Sequence, residues 1–457
     1  MQLIGSDTFS IIIGLGKTGL SCARFLAAQG KAFAVADTRE LPPNVALFKQ
    51  HYSTVELRCG PLDSDWLRGA DRLLVSPGVS RNDPAIKEAE RAGVEILGDI
   101  DLFCQAVDAP IIAITGSNAK STVTTLVGQM ATDAGIKAGV GGNLGTPVLD
   151  LLQEGEKALY VLELSSFQLE TTRWLQAAAA TVLNITPDHM DRYPNLGAYH
   201  SAKQRVYRHC LHAVYNADDL LTQPLLSDAI PQVSFRLGTP NLQQFGLLQH
   251  DGELYLAKGL IPLMPVSRML LKGSHNQANA LAALALGDAV GLPIESMLQT
   301  LQHFGGLEHR CQWVRELDGV AYYNDSKGTN VGATLAAISG LGAELSGKLI
   351  LIAGGEGKGA DFSALAEPMR RWGALALLIG RDAQTLATAL EGHCLCQTQT
   401  SLESAVRAAQ QRAEPGDLVL LSPACASFDM FTGFEHRGRC FIDEVEALLP
   451  AFERGAG

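Results

Sequence analysis

The segment Ile111-Ile112-Ala113-Ile114-Thr115-Gly116-Ser117-Asn118-Ala119-Lys120-Ser121-Thr122 constrains the fold more than any other part of the chain. An apolar strand runs into a tight polar loop, a lysine and two hydroxyls. Val123, Leu126, Val127, Met130, Ala131 and Ala134 then follow at helical spacing. A helix fed by such a loop turns its first amides and positive dipole end toward it, the layout of a nucleotide phosphate site. There Lys120 would reach a β/γ-phosphate while Ser121 or Thr122 ligates Mg²⁺. The pattern G-x-x-x-x-G-K-[ST] is missed twice, because Ile114 and Ala119 stand where it has glycine. Alone, the segment reads equally as an ordinary strand-to-helix turn.

The preceding residues alternate short apolar strands with helical stretches, as in a doubly wound sheet. Ser10–Ile13 leads into Gly14-Leu15-Gly16-Lys17-Thr18-Gly19, residues 20–28 read as a helix, and the strand 33–36 ends on Asp37-Thr38-Arg39. Glycines there let the backbone turn and approach a diphosphate, and an acid after the second strand can bind ribose hydroxyls. The same βαβ geometry holds any nucleotide diphosphate, or no ligand. A strand at 71–75 ends on Ser76-Pro77-Gly78 and a last one spans 93–97, which places a boundary near Gly98.

A chain of 457 residues exceeds what one core usually serves, so two or three domains are expected. No uninterrupted apolar run reaches membrane-spanning length, and Met1-Gln2-Leu3-Ile4-Gly5-Ser6-Asp7 lacks a basic or apolar leader, so the expectation is a cytoplasmic protein without a membrane partner. Nine scattered cysteines, the nearest pair being Cys394 and Cys396, lack metal-ligand spacing and read as free thiols. The net charge of -12 argues against broad nucleic-acid binding, yet a few placed cations and helix N-termini can still capture small anions.

Beyond the phosphate loop, strands again end on polar residues. Residues 159–162 end on Glu163-Leu164-Ser165-Ser166, and 181–185 on Thr186-Pro187-Asp188-His189-Met190-Asp191. A third unit starts near Leu307 with His309-Arg310 and Asn324-Asp325-Ser326-Lys327. Its strands 349–353, 375–379 and Leu418–Leu421 end on Gly354-Gly355-Glu356-Gly357-Lys358, Gly380-Arg381-Asp382 and Ser422-Pro423-Ala424-Cys425-Ala426-Ser427. Singly these are unremarkable loop residues; ligands in open α/β sheets nevertheless collect at such strand ends.

Taken in order, residues 116–122, Leu162-Glu163-Leu164-Ser165-Ser166-Phe167-Gln168-Leu169, Asp188-His189-Met190-Asp191-Arg192-Tyr193, Asn324-Asp325-Ser326-Lys327 and residues 422–427 closely resemble the Mur ligases across the whole chain. The resemblance implies an α/β chain of three domains. A Rossmann-like UDP-substrate domain spans 1–98, a central P-loop ATPase-type domain 99–306, and a Rossmann-like amino-acid-binding domain 307–457. It implies a cytoplasmic, monomeric enzyme that uses ATP to join D-glutamate to UDP-N-acetylmuramoyl-L-alanine through an acyl phosphate. Such a reaction asks the protein mainly for positioning and charge neutralisation.

By the same resemblance, ATP meets Gly116, Ser117, Asn118, Ala119, Lys120, Ser121, Thr122, Asn276, Asn279, Arg310 and Asp325. Lys120 steadies the γ-phosphate, Ser121 and Glu163 hold one Mg²⁺, and His189 helps hold a second beside Lys203 carried as a carbamate. Without the resemblance Lys203 reads as an exposed helix lysine. Lys17, Thr18, Asp37, Thr38, Arg39 and Gly78 fall where UDP is held, and Asn143 contacts the muramoyl substrate. Lys327, Thr329, Lys358, Ser427, Phe428 and Phe434 fall around D-glutamate.

Two departures stand out, Ala119 before the loop lysine and Gly328 after Lys327. Ala119 is expected at φ < 0, where it costs nothing. The rival readings are an NAD-dependent dehydrogenase, a non-catalytic nucleotide-binding regulator, and a relative of the folylpolyglutamate synthases.

Overall fold

In the computed structural model, which describes residues 8–190, 192–227, 229–342 and 345–450, the apolar runs become three sheets. The first comprises β1 (Ser10–Ile13), β2 (Phe33–Asp37), β3 (Leu57–Cys59), β4 (Arg72–Val75) and β5 (Glu95–Leu97) in the order 3-2-1-4-5, all parallel. The first helix, Lys17–Ala28, starts three residues earlier than its apolar pattern suggests. Its backbone nearly touches the preceding loop, since a Cβ on Gly19 would lie 1.8 Å from the Gly14 carbonyl oxygen.

The second sheet holds β6 (Ile111–Thr115), β7 (Ala138–Gly142), β8 (Leu159–Glu163), β9 (Ala179–Val182), β10 (Ala213–Asn216), β11 (Gln232–Phe235), β12 (Phe245–His250), β13 (Glu253–Lys258) and β14 (Ile261–Pro265). Its order is 14-13-12-11-10-9-6-8-7, antiparallel only at the β12-β13-β14 meander. All five residues of β6 are buried, as its β-branched run requires between two layers of helices. The strand expected at 181–185 lies instead at Ala179–Val182, which leaves Asn184 to Thr186 free to bond the phosphate loop.

The third sheet comprises β15 (Gln312–Leu317), β16 (Val320–Asn324), β17 (Leu349–Gly354), β18 (Gly373–Ile379), β19 (Leu395–Thr398) and β20 (Leu418–Leu421), ordered 15-16-20-17-18-19 with only the first pair antiparallel. In each sheet the chain reverses its order around one strand, β1, β6 or β20. The crevice beyond the carboxyl ends of such strands is where open α/β sheets place ligands.

One apolar cluster, running from Ile12 and Leu15 through Leu97 and Phe103 to Ile111 and Tyr207, serves the first and second sheets together. The third has its own clusters and reaches the second by close backbone approach. A Cβ on Gly332 would sit 2.8 Å from Thr186 Oγ1, and one on Gly340 2.3 Å from His275 Nδ1, so the helix Val331–Gly342 packs directly against the central unit. Among the described residues no helix is long and apolar enough to cross a membrane.

At the junction of the first two sheets, the helix Asp99–Ala106 begins with two buried acids. Asp101 Oδ1 accepts the amides of Arg173 and Trp174, both at 2.8 Å, while Gln168 Nε2 donates to Asp99 Oδ2 at 3.4 Å. Burial pushes the Asp99 carboxyl up from 3.8 to about 6. The folded chain therefore holds this proton more tightly than the unfolded chain. That stabilisation is complete below pH 4 and is lost as pH rises through 6. Asp99→Asn should flatten the fall in urea midpoint between pH 4 and 7 and leave the variant more stable than the parent at pH 7. Parallel curves would refute this.

Candidate active site

The phosphate loop is built by stitching it to the segment after β9. The Ser117 amide donates to Asn184 O at 2.9 Å, and Asn118 N to Asn184 Oδ1 at 2.8 Å. The Asn184 amide returns a bond to Asn118 O at 3.2 Å, and Ser117 Oγ bonds both Thr186 O and Thr186 N at 2.9 Å. With its conformation fixed this way, the loop delivers the chain into the helix Lys120–Asp133 with the first amides facing the crevice. Lys120 Nζ folds over the loop, donating to Gly116 O at 2.9 Å and Ser117 O at 3.0 Å.

Ala119 differs from its expected conformation: it is left-handed, with φ 65° and ψ -1°. The loop turns from strand to helix within four residues, and this position takes the turn normally given to glycine. The alanine Cβ packs, half-buried, against the apolar cluster beneath the helix, while the left-handed backbone carries a strain that glycine would not.

Glu163, the last residue of β8, is 2% exposed beside the loop. Its Oε1 accepts Asn143 Nδ2 at 2.7 Å, whereas Oε2 has no hydrogen-bond partner among the described residues; the same holds for Thr122 Oγ1. Burial pushes the Glu163 carboxyl up, but the Lys120 charge, the Asn143 amide and the Ser121 hydroxyl outweigh it and hold it below the usual carboxylate range. A buried, ionised carboxylate with a bare oxygen next to two hydroxyls suits a hard cation such as Mg²⁺. No three His, Cys, Asp or Glu side chains converge as a metal cluster among the described residues.

Lys203 is 1% exposed rather than lying on the helix surface. Its Nζ donates to Gly116 O at 2.7 Å from beneath the loop and lies 4.6 Å from the Tyr199 ring centroid. No carboxylate pairs with it among the described residues. Burial, with the Lys120 charge, pulls its pKa well below that of an ordinary lysine. His189 lies on the crevice with φ 56°, its ring 4.8 Å from that of Phe167. Asp191, next in this motif, lies outside the described residues.

Loop residues 117–122, Glu163, His189, Asn276, Asn279, Arg310, Asp325, Lys327 and Thr329 line one cavity of 350 Å³. Asp325 lies deep within it, accepting Ser422 Oγ at 2.7 Å and the Cys311 amide at 3.1 Å, and burial pushes its carboxyl up to about 6. His275 Nδ1 and Arg310 Nε, both buried, have no hydrogen-bond partner among the described residues. His275 and Asn184 escaped the sequence reading as site residues, although His275 adjoins Asn276 in the quoted run.

A second cavity, of 740 Å³, opens at the carboxyl ends of β1, β2 and β4 and is lined by Lys17, Thr18, Asp37, Thr38, Arg39 and Gly78. The two cavities share Asn143, Lys327 and Phe434. The Lys327 ammonium lies over the Phe434 ring at 4.3 Å. Five expected residues line neither cavity: Gly116 and Lys203, joined to each other by the bond above, and Lys358, Ser427 and Phe428. Lys358 sits on the loop after β17, where its charge still bears on His189; Ser427 is buried in a turn, and Phe428 is 69% exposed.

Two adjoining strand-end cavities, one of them built on the phosphate loop, lie among three α/β sheets, and the chain belongs to the Mur ligase family, ATP-dependent ligases that form amide bonds. The MurD-like N-terminal domain matches residues 8–98, the Mur ligase middle domain 114–287, and the Mur ligase glutamate ligase domain 309–425. Proteins named UDP-N-acetylmuramoylalanine--D-glutamate ligase are 57% identical in Pseudomonas savastanoi pv. phaseolicola, 56% in Pseudomonas aeruginosa and 54% in Marinobacter nauticus. Each match covers 98% of this chain and 100% of the relative. The fold is shared with MurC, a UDP-N-acetylmuramate-alanine ligase of Thermotoga maritima (TM-score 0.58, 18% identity, 96% of this chain and 99% of that one). It is shared also with the MurF ligase of Thermotoga maritima in complex with ADP (TM-score 0.58, 15% identity, 96% and 95%). Neither the dehydrogenase nor the regulator reading is supported.

The left-handed Ala119 reverses the sign of one expectation. Glycine there relieves roughly 1 to 2 kcal/mol of backbone strain against roughly 0.4 to 1 kcal/mol of added unfolded-chain entropy. Ala119→Gly should therefore raise the unfolding free energy by a fraction of a kcal/mol to about 1 kcal/mol and shift the ATP KM only a few-fold. A lower urea midpoint for the variant would refute the strain.

Proposed function

We propose that this chain joins D-glutamate to UDP-N-acetylmuramoyl-L-alanine at the expense of ATP, in peptidoglycan precursor synthesis. The observation that carries the reading is the meeting of the phosphate-loop cavity and the first-sheet cavity at Asn143, Lys327 and Phe434. A UDP-linked acid seated in the second can there present its carboxylate to a nucleotide seated in the first.

A carboxylate is a poor acyl donor until phosphoryl transfer gives it a leaving group, after which an amine attacks the acyl phosphate and phosphate departs. In this reading Lys120 and the loop amides neutralise the transferring phosphoryl group, and Asn276, Asn279, Arg310 and Asp325 fix the rest of ATP. Ser121 and Glu163 would hold one Mg²⁺, and His189 with a modified Lys203 a second. Magnesium, when bound, supplies further charge neutralisation on the phosphate oxygens. Asn143 would orient the muramoyl part, and Lys17, Thr18, Asp37, Thr38, Arg39 and Gly78 the UDP part. Lys327, Thr329 and Phe434 stand where D-glutamate would enter, with Lys358, Ser427 and Phe428 further out. We place the domain limits at 1–98, 99–306 and 307–457 and the enzyme, as a monomer, in the cytoplasm.

Lys203 suits a carbamate on physical grounds. A buried amine whose charged form is disfavoured by burial and by the Lys120 charge, and which has no ion-paired carboxylate among the described residues, can add CO₂ and release one proton, which places an anion beside Lys120.

Phosphate release should require both UDP-N-acetylmuramoyl-L-alanine and D-glutamate; equal turnover with L-glutamate would overturn the assignment. Lys203→Ala should lose about a hundredfold or more in kcat and regain part of it with added short carboxylates. Full parental activity in CO₂-depleted buffer would count against the carbamate.

A further inference from the structure

Arg192 follows His189 by three residues, in a turn closed by bonds from the Arg192 and Tyr193 amides to His189 O at 2.9 and 3.0 Å. Its guanidinium bridges the second unit to the first. Nη1 donates to Pro77 O at 3.3 Å and Nη2 to Val79 O at 3.4 Å, both carbonyls of the first-sheet loop that carries Gly78 along the larger cavity. Nη2 also donates to Glu170 Oε2 at 3.1 Å, and the guanidinium plane lies 4.4 Å over the Phe167 ring, whose edge meets His189. Glu170 is held from two further sides, accepting Tyr193 Oη at 2.6 Å on its carboxylate and Arg81 Nη1 at 3.0 Å on its carbonyl. The Arg192 side chain is only 18% exposed.

We propose that Arg192 is a positioning residue that clamps the loop of residues 76–79 to the His189 turn, so that the seat of the UDP-linked substrate and the placement of His189 are set as one unit. The proposal rests on the ligase reading and deepens it. The two carbonyls it grips belong to the wall of the UDP-side cavity, and the aromatic ring it covers abuts the histidine at the reacting end. Only a guanidinium can do this, because its planar fork serves three acceptors at its edge while its face stacks on a ring. An ammonium is a point charge on a flexible stem.

The test compares the parent with Arg192→Ala, Arg192→Lys and Glu170→Gln, using UDP-N-acetylmuramoyl-L-alanine, ATP, Mg²⁺ and D-glutamate, with calorimetric binding of the UDP-linked substrate alone as a readout independent of turnover. Arg192→Ala should weaken that binding and raise the KM for the UDP-linked substrate by about tenfold, the scale of one charge-assisted hydrogen bond, with the ATP KM within about twofold. Arg192→Lys should not restore it. Glu170→Gln should shift the same constant in the same direction, and the double variant should cost little more than Arg192→Ala. If Arg192→Ala fails to fold, Arg192→Gln keeps an amide donor and carries the same measurement. An unchanged UDP-substrate KM with a lower kcat, as loss of folded enzyme gives, would overturn the clamp, as would equal rises in both KM values. A parent whose turnover ignores the UDP-linked substrate would instead overturn the ligase reading itself.

Discussion

The site is governed by two lysines, Lys203 buried and Lys120 half-buried, that share two carboxylates. Lys120 and Lys203 both donate to the Gly116 carbonyl, each pulled toward neutrality first by burial, and Glu163 and Asp188 are the acids whose fields act on both. Like charges buried this close oppose each other. An anion above the loop relieves Lys120, and carbamylation would relieve Lys203 by changing its sign. The same constraint explains why Glu163 stays ionised despite burial; one of its oxygens has no donor among the described residues. Ligands that bring negative charge and a divalent cation therefore complete an electrostatic balance that the chain alone leaves open. Their binding should stabilise the folded chain by mass action.

Holding that balance requires the loop to be immobile before any ligand arrives. Asn184 supplies much of this immobility by pairing with both sides of the Asn118 peptide. Asn330, from the third unit, donates to Asn118 Oδ1 at 3.2 Å and to Asp188 Oδ2 at 3.3 Å. The first two sheets share one core, whereas the third meets the second through small residues and polar contacts. An interface of that kind can separate without exposing an apolar core, and it can close to exclude water from an acyl phosphate.

What could be read from the sequence follows from which forces are local. Strand-to-loop junctions are written in apolar runs that end on glycine, serine or a charge, so Gly14 to Gly19, Gly116 to Thr122 and Gly354 to Lys358 were legible. The meander of β12, β13 and β14 was not, because short half-buried strands alternate too weakly against their loops. Lys203 could not be placed, since its burial comes from a strand nearly ninety residues away in the chain. Ala119 misled because residue type alone says nothing of φ: an alanine in a glycine's place reads as evidence for φ < 0 until the turn is seen. Arg192 was quoted within a motif, yet its partners Pro77 and Val79 lie in a different sheet.

The first sheet shows most clearly why the glycine fingerprint did not identify a ligand. Asp37 stands where a dinucleotide fold offers its acid to a ribose, but its carboxylate is already engaged. Oδ2 accepts Leu15 N at 2.6 Å and Arg39 Nη2 at 2.7 Å, and Oδ1 accepts Arg39 N at 2.9 Å and Arg39 Nε at 2.8 Å. Four bonds fill the acceptor sites of a carboxylate. The acid therefore acts on the cavity through Arg39, which it fixes as a bidentate partner with half its side chain exposed. A fixed cation at the mouth of the first-sheet cavity favours an anionic or carbonyl-rich occupant over a bare ribose diol. The βαβ scaffold supplied the glycine loop, and the pairing of one acid with one arginine turned its chemistry away from that of a dehydrogenase.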